Sequence, residues 1–230
     1  MVKALKLFLL PIVAIVAVMV ACNKSSDLTT EELVDQALYS AQERGGMGRF
    51  GCYELAFPLS IVLPDGTTAE LDSYDEMKQV LRAYFDANSD SHRPRPNGQR
   101  PQISFVFPIS VIAEDGEIIT VDSDEQLRRL RAECAGATFS NHDARGHGQH
   151  GLSCFEIVFP ITIGFPDGTT AVAADRQAFR QLIQTWRQNN LGATQRPRIA
   201  FPITVRMEDD GSLVTVNSPE ELRQLKEDCE

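Results

Sequence analysis

At 230 residues the chain has room for one large domain or two ordinary ones, and its 43% hydrophobic content lets each half bury a core. Its 22 Lys and Arg stand against 32 Asp and Glu, a formal charge of −10 that argues against nucleic acid as a partner and against electrostatic adhesion to anionic lipid. It contains no GxSxG, no HExxH, no phosphate-cradling glycine loop and no Cys/His spacing for zinc.

Residues 1–21 read as an export signal. Lys3 and Lys6 form a positive start, Leu7 to Val20 is an apolar run too short for a comfortable membrane span, and Ala21 is a small residue at a cleavage point. Met19-Val20-Ala21-Cys22 resembles the lipobox of bacterial lipoproteins. That resemblance implies cleavage before Cys22, with diacylglycerol on its sulfur and a palmitate-type acyl chain on its amine, an anchor of several chains. Without Lys3 and Lys6, 20 basic residues face 32 acidic ones, a charge of −12. Residues 22–51 then read as a lipidated tether with a short helix. A polar spacer, Asn23 to Asp27, leads to the capping box Thr29-x-x-Glu32 and to a helix carrying Leu33, Ala37 and Ala41, running to about Glu43. Arg44 to Gly51, with four glycines, reads as a flexible link.

From Cys52 onward one strand-turn-strand unit occurs four times. Its long forms are Cys52 to Thr68 and Cys154 to Thr170; shorter ones centre on Phe107-Pro108-Ile109-Ser110 and Phe201-Pro202-Ile203-Thr204. Alternation is strict within each copy. Tyr53, Leu55, Phe57, Leu59, Ile61 and Leu63 fall on one face, as do Phe155, Ile157, Phe159, Ile161, Ile163 and Phe165, which predicts half-buried strands. Asp-Gly at Asp65, Asp115, Asp167 and Asp210 predicts a hairpin after each, the last with an extra residue and so a bulge or longer loop. Each return strand runs into a helix start: Ser73-x-x-Glu76, Ser123-x-x-Gln126 and Ser218-x-x-Glu221 read as capping boxes, and Asp175 as a plain cap.

Two units make a ββαββα domain. The expected fold is therefore α+β: two tandem two-layer sandwiches, each a four-stranded antiparallel sheet covered by two helices. The boundaries are 52–134 for the first repeat domain, 135–153 for a Gly/His linker and 154–230 for the second. Pro58, Pro108, Pro160 and Pro202 stand inside predicted strands, which must be edges or carry bulges there. With Cys22 assigned to lipid, four cysteines remain and allow three connectivities. Repeat symmetry favours Cys52 with Cys134 and Cys154 with Cys229, one disulfide per domain in an oxidising compartment.

The outward face of the strands carries Pro, small apolar and hydroxyl residues rather than long charged ones. Ser60, Ser110, Thr162 and Thr204, with Glu54 and Glu156, are the candidate ligand-binding residues. Repeat-imposed strands that merely tolerate small outer residues explain the same pattern. A calcium reading of the turn aspartates would need several convergent oxygens, and Glu70, Asp72 and Asp75 cluster nearby only in the first unit; turn chemistry alone explains the Asp-Gly pairs. His142, His147, His150 and Asp143 fall in the linker without ligand spacing, so no metal and no cofactor is expected. Arg93, Arg95, Arg100, Arg196 and Arg198 suit local charge balance. No catalytic set emerges; an acid pair of Glu54 and Glu156 requires the two domains to meet.

The Cys-[Phe/Tyr]-Glu-[Leu/Ile]-x-Phe-Pro strands and Pro-Asp-Gly-Thr hairpins, over roughly residues 52 to 229, resemble lipoproteins of Bacteroidota with tandem repeat domains, a group with no assigned activity. The resemblance implies a cell-envelope address, an outer-membrane lipoprotein facing the periplasm or displayed on the surface. The expectation is a non-enzymatic protein, tied to the membrane through Cys22, that binds a glycan or envelope macromolecule through its tandem domains. A structural spacer or assembly component of an outer-membrane complex is one alternative, and a carboxylate-dependent hydrolase the other.

Overall fold

The computed structural model describes residues 28–48, 51–88, 102–134, 153 and 155–228. The export signal, Cys22, the Pro-rich loop at 93–101, the linker histidines and the pair Cys154 and Cys229 lie outside the described residues. The first half runs α1 (Thr30–Gly45), β1 (Tyr53–Ala56), β2 (Leu59–Val62), β3 (Thr68–Leu71), α2 (Tyr74–Ala87), β4 (Ser104–Phe105), β5 (Ile109–Ala113), β6 (Ile118–Val121) and α3 (Asp124–Glu133). The second runs β7 (Phe155–Val158), β8 (Ile161–Gly164), β9 (Thr170–Ala173), α4 (Arg176–Asn189), β10 (Arg198–Ala200), β11 (Ile203–Met207), β12 (Leu213–Val216) and α5 (Pro219–Glu227). The fold is α+β.

The four-stranded sheet expected of each half is instead a pair of three-stranded antiparallel sheets. Their orders are β1-β5-β6 and β3-β2-β4 in the first half, and β12-β11-β7 and β10-β8-β9 in the second. Proline is the reason. It has no N–H to give a ladder, so each long strand stops at its Phe-Pro, a cis peptide in all four copies, and resumes in the other sheet. The segment before the proline in one copy pairs with the segment after it in the other. Thus β1 lies on β5 while β4 lies on β2, and β7 lies on β11 while β10 lies on β8.

The alternation survives this break. Tyr53, Leu55, Phe57, Leu59 and Ile61 all enter one core with Ile103, Phe105, Ile109 and Val111, against Met77, Leu81 and Phe85 of α2 and Leu127 and Leu130 of α3. The hairpin turns are alike. Asp65 Oδ1 accepts from the Thr67 N–H at 2.9 Å and its hydroxyl at 2.7 Å, and Asp167 does the same with Thr169 at 2.9 and 2.6 Å. Asp115 and Asp210 each accept from the N–H two residues on. Gly66, at φ 88°, takes the left-handed position that lets the chain reverse. The extra residue in the fourth copy lengthens its turn, in which the Gly211 N–H reaches back to the Met207 carbonyl.

Each predicted helix cap is present. Ser73, Ser123 and Ser218 accept from the N–H of Glu76, Gln126 and Glu221. The reciprocal bond falls one residue earlier than a capping box would put it, on the N–H of Asp72, Asp122 and Asn217. Only Thr29 and Glu32 close the full box.

The tether helix is core. Leu33, Val34, Ala37, Leu38 and Ala41 of α1 are buried in the first half's cluster, with α1 against both α2 and α3. The described residues of the glycine-rich segment after it are packed too. Gly46 caps α1 at φ 63°, Met47 is buried and bridges to Tyr53, and a Cβ on Gly51 would run into the Gly46 carbonyl. A disulfide joins Cys52 to Cys134 with Cα atoms 5.7 Å apart, closing 82 residues of chain. By chain entropy alone a loop of that size stabilises the fold by about 4.5 kcal/mol.

Candidate functional site

The two halves pack together through different surfaces. On the outward face of β1-β5-β6 the register sets Glu54, Ile112 and Ile118 in one row and Ala56, Ser110 and Thr120 in the next. Ala56, Ile112 and Ile118 are buried in the second half's core, beside Phe179 and Ile183 of α4 and Leu222 of α5. The sheet face of the first half thus does for α4 and α5 what α1 does for α2 and α3. At one edge the backbones also meet: the Ile118 N–H donates to the Pro197 carbonyl and the Ile199 N–H to the Gly116 carbonyl, both at 2.9 Å.

Charge is segregated across this contact. The first half supplies carboxylates and the second supplies cations. Glu54 pairs with Lys226 at 3.1 Å, Glu70 with Arg180 at 3.0 Å and Asp115 with Arg198 at 2.9 Å. Glu117 pairs with Arg196 at 2.7 Å and with Arg198 at 3.2 Å, and Asp122 pairs with Arg187. Such complementarity sets register more than it adds affinity. Arg196 and Arg198 therefore balance charge as expected, but between the halves.

A cavity of about 50 Å³ lies where the halves meet, and both Glu54 and Glu156 line it with Tyr74, Ser153 and Arg176. The two carboxylates that the repeat placed far apart in sequence are brought to one place. Neither is free. Glu54 is held by Lys226 and accepts from the Ser153 hydroxyl at 3.2 Å; Glu156 is held by Arg176 and, at 3.4 Å, by Arg206. Burial pushes the Tyr74 phenol well above its usual value, and the neighbouring Glu54 charge adds to this, so Tyr74 keeps its proton. The Leu55 N–H donates to the Tyr74 oxygen at 3.3 Å.

The candidate hydroxyls do not form one surface. Ser60, Ser110, Thr162 and Thr204 lie on β2, β5, β8 and β11, one in each of the four sheets. Ser110 faces a narrow crevice under α4, lined also by Arg180, Ile183 and Arg187. Ser60 is half-buried opposite Glu70, and Thr162 is half-buried between Val172 and Ala200. Thr204, half-buried like the other three, stands on a sheet face that no other described element covers.

That face is the outer side of β12-β11-β7. Its rows are Glu156, Arg206 and Leu213, then Val158, Thr204 and Thr215, position for position the copy of the covered face in the first half. Leu213 is 63% exposed where Ile118 is 1% exposed. Val172, in the place of Glu70, is 64% exposed. The sequence held the signal: β5 and β6 are apolar on both faces, at Val111 with Ile112 and at Ile118 with Ile119, whereas β11 has Arg206 outward. Among the described residues no cluster of His, Cys, Asp and Glu could hold a metal, and no helix is long and apolar enough to cross a membrane. Comparison with known protein families, curated proteins and solved structures finds no match.

Proposed function

We propose that this chain is a non-enzymatic lipoprotein of the cell envelope, held at the outer membrane by lipid on Cys22, that binds a macromolecule or glycan through one of two tandem ββαββα repeat domains. The fold reading rests on the four matched copies, and a second disulfide, Cys154 to Cys229, completes the symmetry with Cys52 and Cys134. One observation carries the binding role: among the described residues nothing covers the face bearing Val158, Thr204 and Leu213, while its copy in the first half is an interface. A surface shaped for contact and left uncovered is a binding surface.

The test is capture from envelope extract and from a glycan panel, with residues 23–230 as bait. A partner held by the native chain and lost with Thr204→Lys, at an unchanged thermal melt, is the expected result. A partner that ignores Thr204→Lys, or none from any fraction, sinks the reading and leaves the spacer role. The hydrolase alternative has the shared cavity of Glu54 and Glu156 in its favour. Their cation partners and the cavity's size, room for little more than a water or two, support a structural role instead.

A further inference from the structure

We infer that a groove between the end of β8 and the loop before β10 binds one unit of a neutral sugar. The groove holds about 450 Å³, within the range of small-molecule sites, and it lies where the halves join, a common place for them. It stands apart from the face bearing Thr204, which belongs to another sheet, so either site can fail without the other.

Gly164 is the observation that points to a ligand. Four residues after the proline of each Phe-Pro, the copies carry Val62, Ile112, Gly164 and Arg206. Nothing in the fold asks for glycine there. Its φ is not positive, and the register runs through it without a bulge, to Thr170 on one side and Arg198 on the other. A Cβ would meet only the Arg198 carbonyl oxygen, at an ordinary 3.9 Å. A strand glycine with neither a backbone nor a packing reason marks the close approach of something else. Gly164 lines the groove, where the side chain of any other copy would take up room. The next residue is Phe165, where the other copies have Leu63, Ala113 and Met207, and with Pro166 it forms an apolar wall.

The polar wall is held in place. Backbone bonds from Ile118 to Pro197 and from Ile199 to Gly116 fix the segment that carries Arg196 and Arg198. Glu117 accepts from Arg196 at 2.7 Å and from Arg198 at 3.2 Å, and Asp115 pairs with Arg198 at 2.9 Å. Two cations against two carboxylates leave no net charge to recruit an anion, and the chain as a whole, at −10, repels one. What the wall does offer is N–H donors beside carboxylate acceptors. Thr194 and Gln195 add a hydroxyl and an amide, neither with a partner among the described residues. A sugar matches this set, since each hydroxyl both donates and accepts while the C–H face of the ring packs on the apolar wall. A wholly apolar ligand would strand the polar groups.

The test titrates residues 23–230 with glucose, galactose, mannose and N-acetylglucosamine, with the β-linked tetramer of each, and with a galacturonate tetramer, followed by saturation-transfer NMR and calorimetry. Saturable binding of at least one neutral sugar is expected. Gly164→Val, which puts back the side chain of the first copy, should weaken it roughly tenfold or more while the thermal melt holds or rises, since valine suits a strand. Gln195→Ala should weaken it about three- to tenfold through a lost hydrogen bond. Thr204→Lys should leave it unchanged. No neutral sugar bound, only the galacturonate bound, or binding indifferent to Gly164→Val overturns the inference. Should Gly164→Val lower the melt, the exposed Gln195→Ala decides, and unchanged binding there overturns it as well. Binding lost with Thr204→Lys but kept with Gly164→Val sinks this groove and favours the other face.

Discussion

Among the described residues Lys226 is the one lysine whose side chain is nearly sealed from water, at 8% exposure, and its partner Glu54 is at 12%. Breaking a buried pair by removing one member strands the other charge, which costs far more than the pair contributed. Lys226→Met should therefore destabilise the protein by about 3 kcal/mol, while Lys226→Met with Glu54→Gln should cost clearly less than the two single changes together. Urea melts of the four proteins check this; simple additivity would mean the pair is solvated and does not hold the halves. Arg44 is a contrasting case. Burial lowers its pKa despite Asp124 nearby, and its Nε has no partner, although its terminal nitrogens reach the Ile103 carbonyl and Asp124.

At the scale of elements, α1 decides between a tether and a wall of the core. Leu33 is 1% exposed, and Leu33→Ala should cost roughly 3 kcal/mol in a denaturant melt, as a buried leucine does, against less than about 0.5 kcal/mol for a free tether. The sequence shows the helix but not its burial, because Leu33, Ala37 and Ala41 form too modest a stripe to announce that Val34 and Leu38 are buried as well. Strand alternation, hairpin turns and caps were legible because each depends on neighbours within a few residues. The sheets were not. Proline announces that a strand cannot continue, yet where the chain goes next depends on pairing with a copy some fifty residues away. The candidate site was half legible for the same reason: Glu54, Glu156 and Thr204 were visible as outward residues, while which face is covered is settled only by how the halves meet.

For the molecule as a whole, acid acts in two directions. The Glu208 side chain is exposed, yet partial desolvation of its carboxylate first and the charge of Asp75 second raise its pKa, so the folded state binds its proton more tightly than the unfolded chain does. Stability from this group rises as pH falls from neutrality towards about 4.5, the ordinary glutamate range. Asp65, Asp167 and Asp210 have theirs lowered, chiefly by the hydroxyls of Thr67, Thr169 and Ser212. What they contribute is present above about pH 4 and lost as pH falls through their lowered values. The melting temperature should thus pass through a maximum on the acid side of neutrality, and Glu208→Gln should flatten the rise between pH 7 and 5. A melting temperature that falls steadily from pH 7 would contradict this.

The exchange of strands at each Phe-Pro bears on how such a chain lengthens. In the described halves the opening segment of each copy completes the sheet of its neighbour, so a lone copy would leave its opening segment without a partner and its hairpin with an open edge. The heritable unit is then the pair. A duplication of one pair yields a working chain at once, whereas the gain or loss of a single copy leaves raw strand edges that invite aggregation. Descendants of this architecture are expected to count their copies in even numbers.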